Sequence, residues 1–175
     1  MVQGAGARFV DGSIIGSGGG LRSGRTTFYL AGEAATEVAA LIAPLATVIL
    51  DGAAGEASAF KGFYAGMTKG LSALGMELLA GAERMGLRQR LMDRYRSDHP
   101  GVASFFEGTL PGLPPRSKRR AEEMPELAET LEDLGLESFM ALATQQTLAS
   151  VADRYAEDPE TETDDLDALL RWWAK

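Results

Sequence analysis

The chain contains no cysteine and a single histidine among its 175 residues. Without cysteine there is no disulfide framework and no thiol chemistry. His99, alone and just before Pro100, cannot build a structural zinc site or any catalysis that needs two histidines, so no metal is expected. Positive charge is short as well. Seventeen Lys and Arg face 25 Asp and Glu, and a net charge of -8 argues against nucleic acid as the main partner. Missing too is a run of the ~20 apolar residues a membrane span requires. The most apolar stretch is broken by Lys61, Lys69 and Glu77, so no membrane partner is expected. The N-terminus MVQGAGARF has neither the basic nor the apolar part of a signal peptide, and a cytoplasmic protein is the expectation.

What is present centres on Ala53 to Leu87, a proline-free stretch rich in Ala, Leu and Met. Phe60, Phe63, Tyr64, Met67, Leu71, Leu74 and Leu78 recur at three- and four-residue steps, which predicts one long helix. So apolar a helix should be wrapped on every side, by its own chain or by a partner. Gly62, Gly66 and Gly70 form a second stripe, and glycine inside a helix costs ~1 kcal/mol against alanine. Three in register predict the close approach of another helix or a ligand. Lys61 follows the loop Asp51-Gly52-Ala53-Ala54-Gly55 by one turn. If desolvated there, it would suit proton transfer or anion binding; the alternative is a lysine that snorkels to water along its own stem.

Before this helix the chain predicts a β-β-α-β block. Its pieces are a strand over Ala7 to Ile15, a glycine-rich loop to Gly24, a strand over Arg25 to Ala31, a helix from Gly32 to about Ala43, and a strand over Thr47 to Leu50. After it come only helices. Arg88 to Arg96 has a basic face, Val102 to Leu110 is short, and Pro111, Pro114 and Pro115 mark a loop. A helix from Ser117 to about Leu134 carries Pro125 as a kink or a late start, and Gly135 ends it. Leu136 to Tyr155 follows, then an acidic linker, Asp158 to Asp165, and a last helix, Leu166 to Trp173. Asp164, Asp165 and Asp167 suit the positive end of that helix, and Trp172 and Trp173 should dock it on a core or a partner.

The glycine run Gly16-Ser17-Gly18-Gly19-Gly20 follows a strand but leads to another strand, not the helix a dinucleotide fingerprint needs. Gly4 to Ala7 precedes a strand, the wrong order, and no Walker lysine follows either run. The first loop either presents backbone N–H groups to an anion or is a flexible hairpin connection. Arg116-Ser117-Lys118-Arg119-Arg120 either binds phosphate or is neutralised by Glu122, Glu123 and Glu126 as a solvated helix start.

The order of these features resembles the C-terminal part of the β-hydroxyacid dehydrogenases, the family of 3-hydroxyisobutyrate and 6-phosphogluconate dehydrogenases. The segments Phe9-Val10-Asp11-Gly12-Ser13-Ile14-Ile15-Gly16, Phe28-Tyr29-Leu30-Ala31-Gly32 and Gly55-Glu56-Ala57-Ser58-Ala59-Phe60-Lys61 are similar to the family's substrate turn, next strand and lysine helix. Lys61 to Gly70 and Arg120 to Ala128 resemble a subgroup with a phosphogluconate-dehydrogenase-like C-terminal domain. The resemblance implies a mainly α, multi-helical domain around one long buried helix, preceded by a short β-β-α-β remnant of a Rossmann-type domain. Residues 1–52 would be the incomplete nucleotide-binding end and residues 53–175 the helical substrate and dimerisation domain. It implies Lys61 as the acid/base of hydride transfer to NAD or NADP, with Gly16, Ser13 and Ala65 at the substrate. It also implies a homodimer, a small hydroxyacid-type substrate, and a nucleotide-binding domain that is separate or missing, so that this chain alone binds no cofactor tightly. The pattern departs from the family where Ile15 replaces the turn serine, Ala65 the helix asparagine, and Glu122 lies near the family's later lysine. Two alternatives therefore stay open, a non-catalytic helical dimerisation module and part of an imine-reductase-like enzyme.

Overall fold

The structure is a computed structural model that describes residues 7–159 and 163–175. Gly4, Ala5 and Gly6, the start of the N-terminal segment, and Glu160, Thr161 and Glu162 of the acidic linker lie outside the described residues. The chain divides into two compact units, Met1–Ala65 and Gly66–Lys175. The division falls inside the long helix, one turn after Lys61, whereas the sequence places it at residues 52 and 53.

The first unit holds strands β1 (Asp11–Ile15), β2 (Thr27–Ala31) and β3 (Thr47–Leu50), helix α1 (Ala35–Leu41), and the start of α2 (Glu56–Arg84). The sheet has the order β1-β2-β3. β1 runs antiparallel to β2, with Ser13 opposite Tyr29, and β2 runs parallel to β3, with Tyr29 beside Val48. A parallel pair needs a crossover, and α1 supplies it. The first two strands and α1 are shorter than their composition predicts. Gly32 explains the late start of α1: its φ is +111°, outside the helical region, and a Cβ there would lie 3.1 Å from the carbonyl oxygen of Phe9. Ile14, Val48 and Ile49 remain exposed on this sheet.

The second unit is all helical. It comprises the rest of α2, then α3 (Arg88–Asp98), α4 (Pro100–Thr109), α5 (Pro114–Glu122), α6 (Met124–Asp133), α7 (Phe139–Glu157) and α8 (Leu166–Trp173). Met76, Leu79, Met92, Phe106, Leu110 and Leu148 lie in its main core, joined by Leu169, Leu170 and Trp172 of α8. Trp172 thus docks α8 on this chain's own core. Asp165 caps α8 by accepting from Ala168 N at 2.7 Å.

Two sequence expectations need correction here. Pro114 and Pro115 are not loop residues but open α5, where a missing N–H costs nothing because first-turn donors are unpaired anyway. The predicted helix through Leu134 is two helices, α5 and α6, broken at Glu123, with Pro125 in the first turn of the second. Gly86 and Gly135, at φ +67° and +73°, end α2 and α6. In each case the next residue's N–H reaches back five residues, Leu87 to Ala82 at 2.8 Å and Leu136 to Leu131 at 2.9 Å.

The long helix α2 is covered on one face only. Ser72, Ala73, Met76, Leu79 and Ala80 are buried. Phe60, Tyr64, Met67, Leu71, Leu74 and Leu78 are exposed, Met67 at 73% and Leu78 at 56%. The wrapping expected on every side is therefore not supplied by this chain. The glycine stripe is also resolved. A Cβ on Gly66 would meet Leu127 of α6 at 2.2 Å, and one on Gly70 would touch Thr144 of α7 at 3.5 Å, so the approaching helices are the chain's own. A Cβ on Gly62 would meet nothing within 4 Å, whereas one on Gly75 would strike Phe106 at 2.7 Å and Leu110 at 3.2 Å. Gly62→Ala should therefore raise stability by about 0.5–1 kcal/mol through helix propensity. Gly75→Ala should lower it by about 1–2 kcal/mol, since overpacking the Phe106 ring outweighs the same gain. Urea unfolding of the two variants measures both; equal effects would refute the packing assigned to Gly75.

Candidate functional site

The site is built on the sheet face that receives the first turns of α2. Asp11, Ser13 and Ile15 alternate along β1, and their cross-strand partners on β2 are Ala31, Tyr29 and Thr27. Asp11 anchors the helix start. Its Oδ2 accepts from Gly55 N at 3.0 Å and Ser58 N at 2.9 Å, and its Oδ1 accepts from Ser58 Oγ at 2.6 Å. These N–H groups belong to the helix entrance, which has no intrahelical acceptor to offer them. Burial pushes the Asp11 carboxyl up, but the hydrogen bonds from Ser58, Gly55 and Ala57 outweigh it and hold the group below its ordinary value.

One residue along the same face, the buried Ser13 donates its hydroxyl to the carbonyl oxygen of Ala57 at 2.6 Å. Opposite Ser13, the Tyr29 ring packs on Phe60 with centroids 4.6 Å apart. Ala57, Lys61 and Ala65 follow one another at four-residue steps and so share one face of α2. The structure thus links Ser13 directly to the strip that carries Lys61 and Ala65. Gly16 lies at the end of β1 with φ +133°. A Cβ there would fall 2.6 Å from the Thr26 Cα, so the turn requires glycine for purely steric reasons.

Lys61 is exposed, which decides for the alternative of a lysine that reaches water along its own stem. Phe60, Phe63 and Tyr64 beside it are exposed themselves and give no cover. The lysine held out of water is Lys69, 7% exposed, whose Nζ donates to Glu123 Oε2 at 2.6 Å. In the sequence Lys69 shows only as an interruption in an apolar run. Asp11 was likewise missed as an anchor, because its partners lie 44 to 47 residues away and leave no local signal.

The glycine-rich loop is held by hydrogen bonds within itself and to Thr26. Thr26, buried, clamps it: Oγ1 donates to Ser17 O at 2.6 Å and accepts from Ser17 N at 2.9 Å. The N–H groups of Gly20, Leu21, Gly24 and Arg25 already donate within the loop, to Ser17, Gly18, Leu21 and Gly20. They do not fit the pyrophosphate of a dinucleotide. Elsewhere, a cleft of about 580 Å³ beside α8 has Arg154 over the rings of Trp172 and Trp173 at 5.4 and 5.8 Å, an arrangement that fastens the helix. Among the described residues no helix is long and apolar enough to cross a membrane, and no group of three His, Asp or Glu could hold a metal ion.

Asp11→Ala should cost about 2–3 kcal/mol at pH 7, because two backbone donors and the Ser58 hydroxyl lose their acceptor. The folded value of Asp11 is depressed, so its contribution is present above the ordinary value of about 3.9 and is lost as pH falls through the folded value. The gap between wild type and variant in chemical denaturation should therefore narrow in acid. A gap that is constant from pH 7 to pH 3 would contradict the assignment.

A short α/β piece leading into a helical domain along one long helix is an architecture this chain shares with solved structures of similar proteins. Residues 82–151 match the family described as "Domain of unknown function (DUF1932)". The chain is similar to a conserved hypothetical protein from Sinorhizobium meliloti 1021, at 27% identity and a TM-score of 0.77, over 95% of this chain and 56% of that one. It is also similar to the conserved protein MTH1747, at 26% identity and a TM-score of 0.73, over 83% of this chain and 57% of that one. MTH1747 is described as a protein of unknown function with structural similarity to 3-hydroxyacid dehydrogenases. The chain thus spans a little over half the length of these solved relatives. No curated protein matches it.

Proposed function

We propose that this chain is the substrate-binding and dimerisation part of an NAD(P)-dependent hydroxyacid dehydrogenase-like oxidoreductase, with Lys61 as its acid/base group. The observation that carries the reading is the tie between Ser13 and Ala57, which fixes β1 against the helix strip bearing Lys61 and leaves the lysine open to a ligand. A primary amine so placed can take the proton of a substrate hydroxyl or stabilise the oxyanion that forms. Because the glycine loop does not fit a dinucleotide, the cofactor falls to a nucleotide-binding half outside this chain. Gly16 shapes the substrate turn, and Ala65 lies one helical turn beyond Lys61. Ile15 and Ala65 offer the substrate no hydrogen bond from their side chains, so the substrate contacts of 3-hydroxyisobutyrate dehydrogenase do not carry over to this chain.

The homodimer is supported by the exposed face of α2. Phe60, Tyr64, Met67, Leu71, Leu74 and Leu78 are spaced four, three, four, three and four residues apart, the seam pattern of helices packed on one another. This same seam supports the second reading, a dimerisation module without catalysis. Turnover of hydroxyacids with NAD or NADP, by protein that includes the nucleotide-binding half and compared with its Lys61→Ala variant, separates the two. Loss on substitution supports the enzyme; unaltered turnover ends the role given to Lys61.

A further inference from the structure

The basic segment of α5 is only partly neutralised by the acidic residues beside it. Of Glu122, Glu123 and Glu126, only Glu123 forms an ion pair among the described residues. Both its oxygens are engaged, Oε2 by Lys69 Nζ at 2.6 Å and Oε1 by Arg119 Nη1 at 3.6 Å. Arg116 donates Nε to the carbonyl oxygen of Gly112 at 2.8 Å, an uncharged partner that leaves its charge unopposed. Arg120 is half-buried and has no hydrogen bond or ion pair among the described residues. Burial lowers its pKa from the ordinary value, and the guanidinium groups of Arg116 and Arg119 lower it further, against Glu123 alone.

Residues 116, 119 and 120 stand at i, i+3 and i+4, so three guanidinium groups share one face of α5. In a chain of net charge -8, such a concentration of one sign is a local exception. Its mutual repulsion is relieved when an anion enters. We propose that the α5 face formed by Arg116, Arg119 and Arg120 binds a phosphate-bearing small molecule. Phosphate is favoured over carboxylate because guanidinium forks from neighbouring turns of one helix can each take some of its several oxygens, whereas a carboxylate is satisfied by one fork. This site does not depend on the dehydrogenase reading.

The test is calorimetric titration of the 175-residue chain with inorganic pyrophosphate at low ionic strength, with malonate as the carboxylate dianion. Saturable pyrophosphate binding is expected, with malonate weaker by about tenfold or more. Arg120→Gln should weaken pyrophosphate by about tenfold while circular dichroism shows unaltered helix content. Arg119→Gln, on an exposed side chain, should weaken it by about threefold and serves if the first variant misfolds. Absence of saturable binding, malonate binding as tightly as pyrophosphate, or affinity unchanged in the correctly folded variants would each overturn the proposal.

Discussion

Lys61→Ala is expected to lower kcat by about 10²–10⁴ in protein that includes the nucleotide-binding half, the usual range for loss of one acid/base group. The side chain is exposed and makes no ion pair among the described residues, so its removal should move stability by no more than ~0.5 kcal/mol. That separation of effects is what makes the variant informative: turnover collapses while folding and association are untouched. Lys61→Arg sharpens the comparison. It keeps the positive charge, but a guanidinium does not release its proton in water, so turnover should stay low if proton transfer is the role. Recovery in Lys61→Arg would instead assign the residue to holding an anion. The structure adds a condition. Lys61 stands in water in this chain, so any desolvation that tunes it must come from bound substrate and from the surface that closes over it.

The second large effect concerns the bare face of α2. Met67→Glu combined with Leu78→Glu should weaken self-association by at least about a thousandfold, because two charges from each subunit would be buried in a seam where each apolar anchor is worth ~2 kcal/mol. Both residues are mostly exposed within the chain, at 73% and 56%, so the separated subunit should remain folded. Analytical ultracentrifugation should give twice 18.6 kDa for wild type and 18.6 kDa for the double variant. A monomeric wild type would remove the dimer. A double variant that still associates would place the interface elsewhere.

The sequence by itself determined the elements whose signals are local. Period and composition give α2, β3 and α8. Gly86 and Gly135 end helices through left-handed turns that only a residue without a side chain adopts cheaply, so those stops are readable from one position. Proline was harder to read. Pro114 and Pro115 look like loop residues until the helix they open is known, because the same fixed φ suits a loop and a first turn. The order of the strand, turn and lysine-helix segments was enough to point to the dehydrogenase-like C-terminal fold.

Only the tertiary structure decided which charges are solvated and which faces are covered. Lys61 and Lys69 occur in similar apolar surroundings eight residues apart, yet one is exposed and the other is buried against Glu123, 54 residues later. Helical periodicity cannot distinguish them, because it reports which residues share a face and not what packs there. The same limit applies to the glycine stripe, where Gly66 meets Leu127 and Gly62 meets nothing. Asp11 shows it most clearly. A strand aspartate becomes the anchor of a helix more than 40 residues away through contacts that exist only once the sheet and α2 have packed. Local pattern fixes the elements; burial and long-range hydrogen bonding assign the individual side chains their chemistry.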